Sequence, residues 1–395
     1  MDTEQLLLKQ VARRIAAARD KGHRVVVVVS AMGDTTDELI KLAYQVAEHH
    51  DGRELDVLLS TGETVSSTLL AMALKNLGYA AISLSGAQAG IRTDTAFSGA
   101  RIKAVDSKRL VTELEKGNIV IVAGFQGITE EMDITTLGRG GSDTTAVALA
   151  ASLGAEMCQI YTDVDGVYTA DPRLVTEAHP IAEISYEEML ELSTFGARVL
   201  HNRAVELGEL YDIPILVAAS AGGGPGTLIH GGVSMEVRNK VRGIAHDVHV
   251  AKVTIVGVPD RPGIAAAVFQ PLAEAGVSVD NIVQNASIDN ITDLTFTIAK
   301  GDLARAMAVV EPIAGQIGAR QYLSDTNVGK ISIIGTGMLN APGYAAKMFS
   351  ALSDKGINIQ LITTSEIRIT CIIDEARVKE AATVLHRAFE LESEE

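Results

Sequence analysis

The chain has 395 residues, of which 47% are hydrophobic, so it is long enough for two or three domains with buried cores. Its formal net charge of −16 argues against nucleic acid and anionic membranes as partners, because both bind basic surfaces. Two cysteines are too few for a disulfide framework or a cysteine metal cluster, and we predict no metal site built from protein side chains alone. No apolar run approaches the ~18 residues of a membrane span and no signal-peptide pattern is visible, so we expect a cytoplasmic protein.

The N-terminal half alternates predicted helices and strands. After an amphipathic helical pattern, five consecutive valines at 25–29 predict a strand buried on both faces, as in a parallel sheet under helices. Ligands of such sheets bind beyond the carboxyl ends of the strands, which places Ser30 and Thr36 at a predicted site, although Thr36 is equally suited to start the next helix. Further strands are predicted at 80–84, 119–123, 159–162 and 213–217. The alternation implies a βαβ sandwich.

Two long helical patterns and one glycine run complete this half. The first pattern covers 55–77 and carries Glu63, a residue type that is usually solvated on a helix; the second covers most of 185–207. The glycine run at 222–226 contains Pro225 and no helix follows it. We therefore predict a hairpin or hinge there rather than a phosphate loop.

The stretch TTLGRGGSDTTA at 135–146 is the strongest local signal in the chain. Three glycines in four positions allow a ligand to approach the backbone closely. Ser142 and Asp143 are predicted to be N-caps of a helix over 144–153 that ends at Gly154. Free N–H groups at the helix start, together with the guanidinium of Arg139, predict a phosphate or carboxylate site, whereas glycines alone would indicate an ordinary tight turn. The spacing matches neither the P-loop nor the dinucleotide-binding fingerprint.

The C-terminal part contains an internal repeat. The segment 252–257 matches 330–335, Pro262-Gly263 matches Pro342-Gly343, and 276–280 matches 356–360. Each copy is predicted to run strand, Pro-Gly loop, helix, strand, strand, helix, which is a ferredoxin-like unit used twice. We predict domains at 1–236, 237–328 and 329–395.

The glycine stretch resembles the TTLGRGGSD motif of the aspartate kinases, a branch of the amino acid kinase family. The resemblance runs from about residue 4 to the C-terminus and includes SAMGDTTD at 30–37, TGE at 61–63, GFQG at 124–127 and YTDVDGVY at 161–168. The repeated units resemble tandem ACT domains. The resemblance implies an α/β protein with an amino-acid-kinase-like αβα sandwich and a C-terminal pair of ferredoxin-like (βαββαβ) ACT domains.

The same resemblance implies transfer of the γ-phosphoryl group of ATP, with Mg²⁺, to the β-carboxylate of L-aspartate. Arg139 would hold a carboxylate of aspartate, Glu63 its ammonium group, and Asp143 would orient the cations at the phosphates. The implied catalytic residues are Arg139, Asp143 and Arg198; the aspartate-binding residues are Ser30, Thr36, Glu63, Phe125, Arg139 and Ser142; the ATP-binding residues are Gly140, Gly141, Thr162, Asp163, Tyr168, Asp171, Arg173 and Arg198. Arg198 stands where family members often have lysine.

ACT domains bind small amino acids where a loop meets the first helix, so the resemblance implies feedback by lysine, threonine or both. The implied effector residues are Asp260, Pro262, Gly263, Ile264 and Asn281. The second copy has no acid at the position of Asp260, so the two copies are not expected to bind one ligand equally. The family also implies a homo-oligomer formed through the ACT domains.

One departure from the family lies at the N-terminus. Aspartate kinases begin with a strand leading into Lys-Phe/Tyr-Gly-Gly-Thr/Ser-Ser, whereas this sequence starts at what resembles the following helix. We expect a start codon assigned too late, and a poorly active chain without the upstream segment. Two other interpretations stay open at this stage. One is a non-catalytic, amino-acid-sensing subunit, and the other is a kinase for another small carboxylate such as glutamate.

Overall fold

A computed structural model describes residues 3–48, 51–196, 199–232, 241–285, 289–339 and 342–393. The chain divides into two compact units. The first comprises Met1–Val167, Ala182–Ser193 and Arg198–Val233, and the second comprises Tyr168–Ile181, Thr194–Ala197 and Ser234–Glu395. Two short segments that the sequence analysis assigned to the first domain, 168–181 and 194–197, therefore group with the second unit.

The first unit alternates helices with short strands, as the sequence pattern predicts. Its helices are α1 (Thr3–Asp20), α2 (Thr35–Val46), α3 (Gly52–Asn76), α4 (Lys108–Glu115), α5 (Gly141–Leu153), α6 (Tyr186–Phe195, whose last two residues group with the second unit) and α7 (Asn202–Tyr211). Its strands are β1 (Val26–Val29), β2 (Ala81–Leu84), β3 (Ile91–Thr93), β4 (Ile102–Val105), β5 (Ile119–Ala123), β6 (Gln126–Ile128), β7 (Ile134–Thr136), β8 (Cys158–Thr162), β9 (Glu183–Ile184), β10 (Ile215–Ala219) and β11 (Thr227–Ile229). The single helical pattern predicted over 185–207 is thus two helices, α6 and α7.

The described residues of the first unit form three sheets. Their strand orders are β1-β5-β2, β8-β10-β11-β9 and β4-β3-β6-β7. Strand β5 is buried along its whole length, with parallel strands on both sides. The prediction that the valine strand is buried on both faces is wrong. Strand β1 pairs only with β5 among the described residues, and its valines are half-buried at that edge of the sheet. The glycine run after β10 forms a hairpin, since β10 and β11 pair antiparallel.

Helix α3 is the scaffold of the first unit. It packs against β2, β5 and β7 and buries residues along most of its length. By length and composition it is also the one helix among the described residues that is apolar enough to cross a membrane, which the sequence analysis did not anticipate. Half of its most apolar window is buried inside the protein, and that face includes the carboxylates of Asp56 and Glu63. These features are those of a core helix.

The second unit holds the two predicted repeats. Its strands are β12 (Gly243–Asp247), β13 (Val250–Pro259), β14 (Val279–Gln284), β15 (Ile291–Ala299), β16 (Gln321–Asp325), β17 (Val328–Ile334), β18 (Leu361–Thr364) and β19 (Arg368–Asp374). Its helices are α8 (Ile264–Glu274), α9 (Leu303–Ile317), α10 (Tyr344–Ser353) and α11 (Val378–Ala388). The sheet orders β14-β15-β13-β16 and β12-β17-β19-β18 are both ferredoxin-like.

Strand β12 joins the sheet of the second repeat although it precedes the first repeat in the chain. It pairs antiparallel with β17, from Gly243 opposite Ile334 to Asp247 opposite Lys330. The second repeat therefore supplies strand, helix, two strands and helix, and takes its fourth strand from the segment ahead of the first repeat. The predicted first ACT domain, 237–328, thus contains a strand of the second ACT sheet.

Each repeat has its own apolar core, and the second core recruits residues from outside the repeat. The first core is built around Phe296 and Val268. The second, around Ile331 and Met348, also takes in Ala170, Val175 and Val241. Burial of these side chains explains why 168–181 groups with the second unit.

Candidate functional site

The glycine loop leads directly into α5, which begins three residues earlier than predicted. Helix α5 begins at Gly141, and Gly140 is its N-cap in the left-handed region (φ 67°) without any side-chain cap. The prediction that Ser142 and Asp143 are N-caps is therefore wrong; both lie in the first turn. Glycine at 140 adopts this conformation without strain, which allows the helix to start early. The predicted end at Gly154 is confirmed, also with a positive φ of 59°.

The backbone of this loop is packed so tightly that no side chain fits at its glycines. A Cβ at Gly140 would collide with the ring of His201, and one at Gly141 would lie 2.8 Å from Cδ2 of Phe125. At Gly124, a Cβ would lie 2.9 Å from Oγ of Ser142. The structure thus brings together four predicted site residues, Phe125, Gly140, Gly141 and Ser142, around the start of α5.

A buried carboxylate on α3 holds the strand that leads into the loop. Asp56 is fully buried and accepts hydrogen bonds from the backbone N–H (2.7 Å) and hydroxyl (2.8 Å) of Thr136. It also accepts from the backbone N–H (2.9 Å) and hydroxyl (3.2 Å) of Ser98, a residue with φ 65°. Because every bond has a charged acceptor, this anchor is stronger than one made of neutral groups.

An arginine on α7 holds the loop from its other side. Arg203 donates from Nη1 to the carbonyl of Leu137 (2.7 Å) and from Nη2 to the carbonyl of Ala100 (3.0 Å). Burial lowers its pKa from the ordinary value. Neither Arg203 nor Asp56 was predicted from the sequence as a site residue. A usable signal existed for Asp56, which precedes Glu63 by seven residues and so shares its helical face.

Glu63 is buried in the structure rather than solvated on the helix surface. Its side chain is 3% exposed, Oε1 accepts from the backbone N–H of Ala31 (3.1 Å), and Oε2 is buried with no hydrogen-bond partner among the described residues. Burial raises the pKa of this carboxyl, and the backbone hydrogen bonds oppose the rise. Ala31 lies in the loop that joins the carboxyl end of β1 to α2. The same connection carries Ser30, which is exposed, and Thr36 lies in the first turn of α2. A cation bound here would satisfy Oε2.

Asp143 is a second carboxylate that burial keeps away from water, and no ion pair of its side chain is seen within the described ranges. Burial raises its pKa to about 6, against one backbone hydrogen bond from His201 that lowers it. Burial of the Cys158 thiol on β8, together with the negative charge of Asp143, raises the pKa of Cys158 to about 12. A carboxylate desolvated in this way at a helix start fits a cation that arrives with an anionic ligand. Within the described ranges, no group of three or more His, Cys, Asp and Glu side chains is placed to hold a metal ion by itself.

Two further predicted residues of the first unit, Arg139 and Asp163, have exposed side chains. Arg139 is exposed, and no hydrogen bond or ion pair of its guanidinium is recorded in the part of the chain that the structure describes. Asp163 follows β8 at its carboxyl end, where its carboxylate accepts from the hydroxyl of Thr162 (2.9 Å). Both positions leave charged groups available to a ligand.

Four predicted nucleotide residues lie outside the described part of the first unit. Tyr168, Asp171 and Arg173 lie in the second unit, and Arg198 falls outside the described residues. Arg173 donates to both carboxylate oxygens of Asp171, from Nε (3.0 Å) and Nη2 (2.7 Å), and this hydrogen bonding lowers the pKa of Asp171. His246 of β12 lies 4.0 Å from the same carboxylate.

The predicted effector residues are only partly together. Asp260, Pro262, Gly263 and Ile264 line one surface cavity at the start of α8, joined by Gln284 of β14. Gly263 is the N-cap of α8 (φ 93°) and no side chain caps the helix, so Asp260 is not a cap. Asn281 is elsewhere: it is buried, its Nδ2 donates to Thr297 (3.1 Å) and its Oδ1 accepts from Thr363 (2.8 Å).

Comparison with known proteins decides the family. The profile of the amino acid kinase family matches residues 1–219, and two ACT domain profiles match residues 252–315 and 331–389. An aspartate kinase of Stutzerimonas stutzeri is 50% identical over 388 residues, covering 98% of this chain and 94% of that protein. The chain belongs to the aspartate kinases. Aspartate kinase activity and allosteric ACT domains follow from membership, and the interpretation as a non-catalytic subunit is set aside.

Solved structures of aspartate kinases share the fold. E. coli aspartokinase III in complex with aspartate and ADP (R-state) is 28% identical, with a TM-score of 0.75, covering 90% of this chain and 80% of that one. The same enzyme in complex with lysine and aspartate (T-state) is 25% identical, with a TM-score of 0.71 and 95% of each chain covered.

Proposed function

We propose that this aspartate kinase transfers the γ-phosphoryl group of ATP to the β-carboxylate of L-aspartate, giving 4-phospho-L-aspartate. This reaction is the first step towards lysine, threonine and methionine, and we place it in the cytoplasm. We further propose a homo-oligomer formed through the ACT domains, with neither nucleic acid nor membrane as partner. The E. coli complex with aspartate and ADP supports this choice of substrates.

The observation that carries the proposal is the unpartnered oxygen of Glu63. A buried carboxylate oxygen without a partner is costly, so a native site that keeps one has a use for it. An ammonium group would make a charge-assisted bond to Oε2, which a dicarboxylate without nitrogen cannot make. The exposed guanidinium of Arg139 would hold a substrate carboxylate at the glycine loop.

The chemistry then needs positioning and charge rather than proton abstraction. The β-carboxylate of aspartate is already ionised, so its oxygen forms the new bond to the γ-phosphorus while the bond to the bridging oxygen breaks and ADP leaves with the electron pair. Backbone N–H groups at the start of α5 face developing negative charge. Mg²⁺ would be held by Asp143 together with phosphate oxygens, and when bound it neutralises phosphate charge.

Glu63→Gln tests the assignment of the ammonium site. We expect kcat/KM for aspartate to fall by roughly 10²-fold, about the energy of a lost charge-assisted contact, with little change in the KM for ATP. Succinate, which is aspartate without the ammonium group, should be a poor substrate of the wild type and should be unaffected by the substitution. Coupled ADP-release assays with both acceptors make the comparison.

Glu113→Gln is the matched control. Glu113 is also 3% exposed, but its carboxylate is paired with Lys116 (3.0 Å) and Arg109 (3.1 Å) on α4. This variant should keep wild-type kinetics. An equal loss of aspartate turnover in both variants, or an equal loss with succinate in Glu63→Gln, would mean that Glu63 acts through the fold and not on the ammonium group.

For regulation, we propose that lysine, threonine or both bind at the cavity beside Asp260. The carboxylate of Asp260 would face the effector ammonium group, and N–H groups at the start of α8 would face its carboxylate. The E. coli enzyme in complex with lysine supports an amino acid as effector.

A further inference from the structure

The end of helix α6 is built into the second unit. Phe195 is 6% exposed. The centroid of its ring lies 3.8 Å from the guanidinium carbon of Arg368 and 5.8 Å from Nζ of Lys330. Lys330 belongs to β17 and Arg368 to β19, so two neighbouring strands of the second ACT sheet hold one ring. Cation–π contacts of this kind are strongest when they are desolvated, and both cations are buried here.

The next residue fixes the segment from another direction. Gly196 has φ 146°, and a Cβ there would collide with the backbone carbonyl of His246 on β12. Phe195 and Gly196 together therefore contact three strands of the second ACT sheet, β12, β17 and β19. Arg198, a predicted phosphate contact, follows Phe195 by three residues in the sequence.

An ion pair connects this cluster to the first ACT domain. The ammonium group of Lys330 meets the carboxylate of Asp280 on β14, with side-chain exposures of 7% and 34%. The adjacent residue, Asn281, accepts a hydrogen bond from Thr363 of β18. Strand β14 also ends at Gln284, which lines the cavity beside Asp260. One strand of the first ACT domain thus contributes to the effector cavity and to the cluster around Phe195.

The cluster around Phe195 brings cationic and anionic side chains together. Burial, together with repulsion from Arg368, lowers the pKa of Lys330 to about 8, and the carboxylate of Asp247 acts in the opposite direction. Two buried cations that share one ring need nearby anions, and Asp280 is the anion that the first ACT domain supplies. Moving β14 away would leave Lys330 undercompensated and would favour a different arrangement around the ring.

We propose that the Asp280–Lys330 ion pair and the ring of Phe195 transmit effector binding at the first ACT domain to the end of helix α6, three residues before Arg198 in the sequence. The inference rests on the proposed regulation by lysine or threonine. An effector that binds beside Asp260 favours one position of β14, and the ion pair gives the two positions different energies in the second ACT sheet. Asp280 and Lys330 are positioning residues in this account, since neither touches substrate.

A second ion pair between the two repeats provides a matched control. Lys300, after β15, and Glu375, after β19, are joined at 3.1 Å with side-chain exposures of 39% and 38%. This pair also links the first ACT domain to the second, but none of the recorded contacts of Phe195 includes it. Asp280→Asn and Glu375→Gln each remove one carboxylate charge from a link between the repeats.

The experiment measures inhibition of the full chain by lysine and by threonine, alongside calorimetric binding of the same amino acids. We expect Asp280→Asn to raise the half-inhibitory concentration at least about fivefold, the lower end of ordinary allosteric coupling, while effector Kd and uninhibited kcat stay within about twofold. The Glu375→Gln variant should be inhibited by lysine and threonine at the same concentrations as the wild type. Asp260→Ala should lose both inhibition and binding.

Three other results would overturn either the proposed coupling or the proposed regulation. Equal inhibition curves for Asp280→Asn and Glu375→Gln, with Asp260→Ala relieved, would overturn the coupling and leave the proposed effector site intact. Loss of effector binding in Asp280→Asn would make Asp280 part of the binding site and would also overturn the coupling. A wild type that neither lysine nor threonine inhibits would overturn the proposed regulation and the coupling with it.

Discussion

Asp143→Asn is expected to lower kcat by about 10³-fold or more while making the protein more stable. The loss of activity follows from removing the carboxylate that would hold Mg²⁺ at the transferring phosphate, a contribution of several kcal/mol. The gain in stability follows from the pKa of about 6, since burial disfavours the charged form of Asp143 in the folded protein.

The stability gain has a defined pH dependence. The folded-state pKa of Asp143 lies above the unfolded value, so its protonated form stabilises the fold relative to its charged form. This stabilisation is present below about pH 4 and is lost as pH rises through about 6. The asparagine variant should therefore exceed the wild type in unfolding free energy by roughly 1–2 kcal/mol at pH 7, a shift discounted for partial exposure, and by little at pH 4. Urea unfolding at both pH values measures this difference.

Asp56→Asn is the control for this contrast. Asp56 is fully buried like a core residue, but its carboxylate accepts from both Ser98 and Thr136, and an amide cannot accept all of these bonds. This variant should lose stability at pH 7. If Asp143→Asn also lost stability, or kept wild-type turnover, the assignment of Asp143 as a desolvated cation-binding carboxylate would be wrong.

Arg139→Ala is expected to lower kcat/KM for aspartate by roughly 30- to 10³-fold, equivalent to about 2–4 kcal/mol of lost transition-state stabilisation. The exposed guanidinium would make a charge-assisted, bidentate contact with a substrate carboxylate. No intramolecular bond of Arg139 is recorded among the described residues, so the melting temperature should not change. Binding of Mg-ATP should change little.

Arg139→Lys and Arg92→Ala accompany this variant. Lysine keeps the charge but not the fork, so an intermediate loss is expected at position 139. Arg92, on β3, is another exposed arginine of the same unit, and its removal should leave the kinetics unchanged. A collapse of nucleotide affinity in Arg139→Ala, with aspartate kinetics intact, would place Arg139 on the nucleotide instead.

Much of the fold could be predicted because local patterns determine it. The apolar run of β5, the long pattern of α3 and the glycine that ends α5 each depend on a few neighbouring residues. The two repeats were visible for the same reason, since each copy carries its own strand and Pro-Gly loop.

The features that were missed depend on pairing between distant segments. Nothing in the sequence of β12 indicates that it pairs with β17 across the whole first repeat. Helix α5 begins three residues before the predicted start because Gly140 adopts a left-handed conformation as its N-cap, whereas the prediction relied on the capping side chains of Ser142 and Asp143. For the site, Glu63 was found by resemblance to a motif, whereas the unpartnered state of Oε2 and the anchoring role of Asp56 required the packed structure.

The most direct test of the proposed reaction is to trap its product. The wild-type chain is incubated with Mg-ATP, hydroxylamine and either aspartate, glutamate or succinate, and the hydroxamate is identified by mass spectrometry while ADP is counted. An acyl phosphate at the β-carboxylate reacts with hydroxylamine to give aspartate β-hydroxamate, so we expect one hydroxamate per ADP with aspartate and little of either with the other acceptors. Equal turnover of glutamate, or ADP release without any hydroxamate, would contradict the account.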